Sequence, residues 1–134
     1  TNSYNWYDPN PATNGGDAGS TGTATSCNNT LAACNTHDYV IAVNAASLCG
    51  RSDWRLPSYR DAFTLFNVQT LGAVSPTPFD ATYFLLRGNV MFTSNTVIGN
   101  TSNAWYVSSN GMDFRAKSSA PRQVRLVAGT NAFQ

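Results

Sequence analysis

Seven arginines and one lysine supply the basic charge of this sequence. A guanidinium fork grips sulfate, phosphate or carboxylate with two parallel hydrogen bonds, where an ammonium is only a point charge. The distribution is uneven. Residues 1–50 hold Asp8, Asp17 and Asp38 with no basic residue, a charge of −3; residues 51–134 hold every arginine and the lysine against Asp53, Asp61, Asp80 and Asp113, a charge of +4. The net +1 hides this asymmetry. Chemistry at the basic half therefore means holding anions, with some arginines expected to be paired structurally to those aspartates.

Other chemistries find less support. Paired-carboxylate catalysis needs one raised pKa, and the nearest pair, Asp53 and Asp61, sits at a chain corner and a helix start. His37 falls at another helix start. No zinc spacing, P-loop or nucleophile elbow is present, so neither an enzyme nor a cofactor is expected. Asp8, Asn10, Asn14 and Asp17 have the oxygen-rich character of a calcium loop. Their spacing is not that of an EF-hand, and Asx-turns are the simpler expectation. A small basic set and near-zero net charge argue against nucleic acid. No apolar run approaches the roughly 18 residues of a membrane span. With no signal peptide in view, the sequence is expected to begin inside a larger or processed protein.

The elements that must position the arginines come next. One domain is expected over residues 1–134: an irregular arm at 1–35, two helices within 36–66, and loops with antiparallel strands over 67–134. The arm is rich in glycine and Asx residues, with Trp6 and Tyr7 as its anchors to the body. The first helix runs from Thr36 through Tyr39, Val40, Val43 and Leu48 to a Gly50 C-cap. The second is capped by Ser58 with Asp61 three residues on, and turns Ala62, Phe63, Leu65 and Phe66 inward. Between them, Asp53 and Arg55 beside Trp54 and Pro57 suggest a buried bridge joining the helices. Cys34 and Cys49 bracket a helix of about 20 Å, too far for a disulfide. Cys27–Cys34 is then favoured and Cys27–Cys49 is the alternative, with the leftover thiol a buried structural cysteine.

Further on, Tyr83–Leu86 and Val90–Phe92 read as short strands or buried loop. Asn110-Gly111 is a strong type I′ hairpin signal. It pairs Val107 with Phe114 and Tyr106 with Arg115. Period-two alternation places Trp105, Val107, Met112, Phe114 and Ala116 on a core face, and Tyr106, Ser108, Asp113, Arg115 and Lys117 on an open one. A last strand with Val124 and Leu126 inward would add Arg125 to that open face. Arg115, Lys117, Arg125 and Tyr106, rimmed by Arg122, are thus the candidate ligand-binding residues. Arg87 beside a Gly-Asn turn and Arg51 past the first helix complete the set.

Asn44-Ala45-Ala46-Ser47-Leu48-Cys49-Gly50 leading into Ser52-Asp53-Trp54-Arg55-Leu56-Pro57 resembles the signature of the Lcl C-terminal domain family. Trp6-Tyr7-Asp8-Pro9 and Thr13-Asn14-Gly15-Gly16-Asp17-Ala18-Gly19 resemble its opening, and Ala104-Trp105-Tyr106-Val107 and Val124-Arg125-Leu126-Val127 its closing strands. The resemblance implies an α+β, C-type-lectin-like fold, with two short helices packed on a twisted antiparallel sheet among long loops. It also implies a secreted or cell-surface bacterial adhesin domain that binds sulfated glycans, such as heparin or chondroitin sulfate, and forms a homotrimer. The alternative is a structural or oligomerisation tip domain with no glycan ligand.

Overall fold

The computed structural model describes residues 2–64, 90–108 and 111–130. Two helices and two antiparallel sheets give an α+β architecture. In chain order the elements are α1 (Thr36–Ala45), β1 (Trp54–Arg55), α2 (Tyr59–Thr64), β2 (Val90–Val97), β3 (Asn100–Ser108), β4 (Gly111–Ala116) and β5 (Val127–Ala128), with 3-10 turns at Ala24–Cys27 and Leu48–Gly50. The larger sheet has the order β2-β3-β4 and the smaller pairs β1 with β5. Leu65, Phe66, the Tyr83–Leu86 segment and Arg87 lie outside the described residues.

The first helix starts where the sequence indicates. Asn35 is its N-cap, with Oδ1 accepting the Asp38 N–H at 2.8 Å. It ends sooner than the Gly50 reading requires: Ala46 caps it and Ser47 turns left-handed at φ 48°. The reason lies in Asn44, whose side chain takes the Trp54 N–H at 2.7 Å and donates to the Trp54 carbonyl at 2.8 Å. The chain must double back here to offer Trp54 both contacts. Cys49, in the following turn, is free and exposed rather than buried. Cys27 and Cys34 form a disulfide.

The β3–β4 register differs from the Asn-Gly expectation. Ser108 pairs with Gly111, Val107 with Met112, Tyr106 with Asp113 and Trp105 with Phe114. The pairing therefore closes at Ser108 and Gly111, one position earlier than expected, and Gly111 belongs to the strand. This shift by two in pairing keeps every residue on its expected face. What changes is which face is the more buried. Ala104 and Tyr106 are buried on one side with Trp6 and Phe92; on the other, Val107 is buried as expected, but Phe114 and Ala116 are exposed.

The arm accounts for the burial of the face expected to be open. Trp6 inserts against the Ala104/Tyr106 face and donates its indole N–H to the Thr93 carbonyl at 2.9 Å. Gly19 (φ +80°) passes so near that a Cβ there would lie 2.3 Å from the Trp6 carbonyl oxygen. A second cluster gathers Tyr4, the disulfide, Leu31, Tyr39 and Val124, with Tyr4 and Tyr39 stacked at 4.5 Å. The last strand also departs from expectation. Residues 122 and 123 make single bridges to Tyr4 and Met91, and β5 joins β1 in the other sheet.

Candidate functional site

Tyr106 and Arg115 come together as the alternation indicates. The Arg115 guanidinium lies 5.5 Å from the centre of the Tyr106 ring, and the Tyr106 hydroxyl donates to Asp113 Oδ2 at 2.9 Å. Asp113 is held below the usual carboxylate range, first by the Phe114 N–H and then by that hydroxyl. Arg115 itself is exposed and makes no ion pair among the described residues.

Lys117 does not join it. Expected on the open face, it is fully buried, with Nζ donating to the carbonyls of Asn14 and Asp17 at 2.6 Å each and lying 4.2 Å from the centre of the Trp6 ring. Burial lowers its pKa, against the opposing pull of Asp17 and Asp8. The physical reason is the arm: its turns leave carbonyls facing inward, and the lysine supplies their donor. Arg125 lies on the half-buried segment leading to β5, so it does not extend the β3–β4 surface. Arg122 is half-buried, exchanges backbone hydrogen bonds with Tyr4, and its Nε is buried without a partner among the described residues.

The corner divides its charges differently from expectation. Asp53 is exposed and pairs with Arg51 through two hydrogen bonds of 2.8 and 2.6 Å. The partner of Arg55 is Asp61, at 2.7 Å, and Arg55 also donates to the carbonyls of Leu56, Gly129 and Thr130. It thus ties α2 to the β5 end of the chain. Asp61 is held below its ordinary pKa mainly by Arg55, with Ser58 adding its hydroxyl and N–H.

Residues 8–19 form a run of Asx-turns. Side-chain oxygens of Asp8, Asn10, Asn14 and Asp17 each accept the N–H two residues on. Asp8 Oδ2 also accepts the Thr13 hydroxyl at 2.6 Å. This arm, the start of α2 and the β2–β3 hairpin enclose a cleft of about 740 Å³. Its walls present Thr13, Tyr59, Arg60, Asn95, Thr96 and Thr101. Asn95 Oδ1 accepts the Tyr59 N–H at 2.6 Å, which sets the hairpin against α2.

The Lcl C-terminal domain profile matches residues 3–128. The chain belongs to that family. Neither the curated proteins nor the solved structures contain a match. Membership gives this Lcl C-terminal domain the setting of a bacterial surface protein, and none of its described helices is long and apolar enough to cross a membrane. The signature from Asn44 to Pro57 has a visible purpose in this Lcl C-terminal domain. Asn44 grips Trp54, Arg51 grips Asp53, and Arg55 reaches across to α2 and the chain end.

Arg60 and Asn95 were not among the expected site residues. Arg60 follows Tyr59 at the start of a helix, where a solvated role is the ordinary reading. Asn95 stands in a Thr-Ser-Asn-Thr run with no period-two apolar signal. The β2–β3 hairpin that carries Asn95 turns at Ile98-Gly99, with register shifts on either side of Thr96. Gly99, at φ +79°, is the one sequence clue to that turn.

Proposed function

We propose that this domain is an extracellular, adhesin-type binding module that holds sulfated polysaccharides through exposed arginines and catalyses no reaction. The observation that carries the reading is Arg115. Its guanidinium is exposed, braced by the Tyr106 ring, and makes no direct ion pair among the described residues, its nearest carboxylate influence being Asp113. Such a group meets a sulfate without first surrendering an ion pair. The Cys27–Cys34 disulfide fits an oxidising, extracellular compartment. Two helices, long irregular loops and the pairing of β1 with β5 near the chain end support a C-type-lectin-like class.

Each exposed arginine contributes little alone, about 0–1 kcal/mol in water. A homotrimer would present the same group three times on one polysaccharide chain, and avidity would then set the affinity. Immobilised heparin under a salt gradient tests this. The wild-type oligomer should be retained at low salt and elute at lower salt after Arg115→Ala. No retention of the folded protein at low salt would sink the reading. A structural tip domain without glycan would then stand in its place, a role that the internal use of Lys117 and Arg55 also suits.

A further inference from the structure

The cleft between the arm, α2 and the β2–β3 hairpin has no part in the binding surface at Arg115. We propose that it is a saccharide subsite, taking one sugar ring that carries a single anionic substituent. This rests on the polysaccharide reading and specifies how part of it is met.

Size is the first argument. At about 740 Å³ the cleft lies within the roughly 300–1,000 Å³ of ordinary small-molecule sites. The character of its walls is the second. Hydroxyls and an amide come from Thr13, Thr96, Thr101 and Asn95, with the half-exposed Tyr59 ring beside them. Sugars present alternating hydroxyls and C–H faces, which need this mixture of donors, acceptors and one aromatic surface. The Tyr59 ring is itself backed by Trp105 at 5.7 Å.

Spare hydrogen-bonding capacity is the third. Arg60 is exposed and makes no ion pair among the described residues, and a guanidinium carries five donors in a planar fork that fits an anion. Asn95 uses its carbonyl oxygen on Tyr59, which leaves its amide nitrogen to donate.

Charge decides between a sugar and a bare anion. Arg60 shares the lining with Asp8. The Asp8 carboxylate already accepts from the Asn10 N–H and the Thr13 hydroxyl, but its remaining lone pairs can take a sugar hydroxyl. A guanidinium and a carboxylate in one cleft suit a polyhydroxyl ring bearing one sulfate or carboxylate. They disfavour a compact dianion such as phosphate, which the carboxylate repels.

The test is amide-resolved NMR of the intact domain with a uronate–N-acetylgalactosamine disaccharide carrying one sulfate. Its desulfated counterpart and inorganic sulfate are titrated alongside. Shifts should gather at Thr13, Tyr59, Arg60, Asn95 and Thr101. Arg60→Gln, an exposed change that breaks no ion pair, should weaken the sulfated disaccharide about tenfold, the loss of one charge-assisted contact. Arg60→Lys should fall between. A desulfated disaccharide that binds the cleft as tightly assigns the anion to the uronate carboxylate; one that binds much more weakly assigns it to the sulfate. Either result supports the subsite.

Inorganic sulfate shifting the cleft as strongly as the disaccharide would overturn the sugar assignment. So would an unchanged affinity in Arg60→Gln, or shifts confined to the Arg115 strand while heparin still retains the protein. Heparin failing to retain the wild type while the disaccharide still moves the cleft would sink the polysaccharide reading and keep the subsite.

Discussion

Replacing Lys117 with Met should unfasten the N-terminal arm. The ammonium is fully buried, 2.6 Å from the carbonyls of Asn14 and Asp17, and 4.2 Å from the centre of the Trp6 ring. Methionine fills nearly the same volume, so little cavity cost arises. Two carbonyls lose a charged donor, at about 1–3 kcal/mol each when left unsatisfied. The cation–π contact contributes about a further 1–2 kcal/mol when desolvated. Against this stands the cost of burying an ammonium, which the same burial reveals by lowering the pKa of Lys117. We expect a net loss of about 2–4 kcal/mol, or roughly 10 °C in Tm for a chain of this size. Chemical and thermal unfolding measure the total, and amide hydrogen exchange locates it. Protection should fall first over residues 8–19, because those turns hang on the clamp. A Met variant with wild-type stability and an unchanged arm would refute the reasoning. It would mean that desolvation already cancels the hydrogen bonds, as happens in some buried ionic groups.

Four other outcomes are expected. Asp61 titrates below its ordinary value of 3.8 because Arg55 and Ser58 hold the carboxylate. Its contribution is therefore complete above the unfolded pKa and is lost as pH falls through the lower folded one; Asp61→Asn should flatten the acid limb of a stability–pH curve below about pH 4. Reducing the Cys27–Cys34 bridge, whose partners are 7 residues apart, should cost stability in urea unfolding. Closure of so short a loop implies about 2–2.5 kcal/mol. Gly19→Ala should destabilise by about 2 kcal/mol or more in the same assay, because φ is +80° and the new Cβ would meet the Trp6 carbonyl. Trp54→Phe removes the indole bond to the Leu48 carbonyl at 3.0 Å. It should cost about 1 kcal/mol, since that bond is solvent-accessible.

Local signals were legible in the sequence, and non-local ones were not. Asn35 and Asp38 sit where a helix start needs them, and α2 begins at the Ser58/Asp61 pair. Strand parity was also readable, because alternation fixes which residues share a face whatever the register. Asn110-Gly111 misled by one position because a glycine with φ 118° can end a loop as well as occupy it. Whether Tyr106 or Trp105 faces the core depends on where Trp6 lands, about 100 residues earlier, and no period in β3 encodes that. Lys117 and Arg55 are the sharper lesson. Lys117 reads as a surface cation and Arg55 as half of a buried bridge with Asp53, yet each is consumed by carbonyls at the far end of the chain: Asn14 and Asp17 for one, Gly129 and Thr130 for the other. Carbonyl acceptors leave no trace in sequence composition, so the donors they demand cannot be told from free ones.

That internal use of basic residues bears directly on how such a domain could bind. A charge-poor surface built from asparagine, serine and threonine lacks the potential to draw a polyanion from a distance, so steering is weak. Arg51 is already bonded to Asp53, Arg55 to Asp61, and Lys117 to the arm. Arg60 and Arg115 remain exposed without ion pairs among the described residues. Two guanidiniums in water do not hold a polysaccharide tightly, and salt at physiological strength screens exposed charges beyond about 8 Å. Useful affinity must then come from repetition along the ligand and across copies of the domain, together with short-range contacts that salt does not reach. Hydroxyls and amides gathered in a cleft are contacts of that second kind. A domain with few free charges gains selectivity from them, because a polyanion lacking the matching sugar forgoes those short-range contacts.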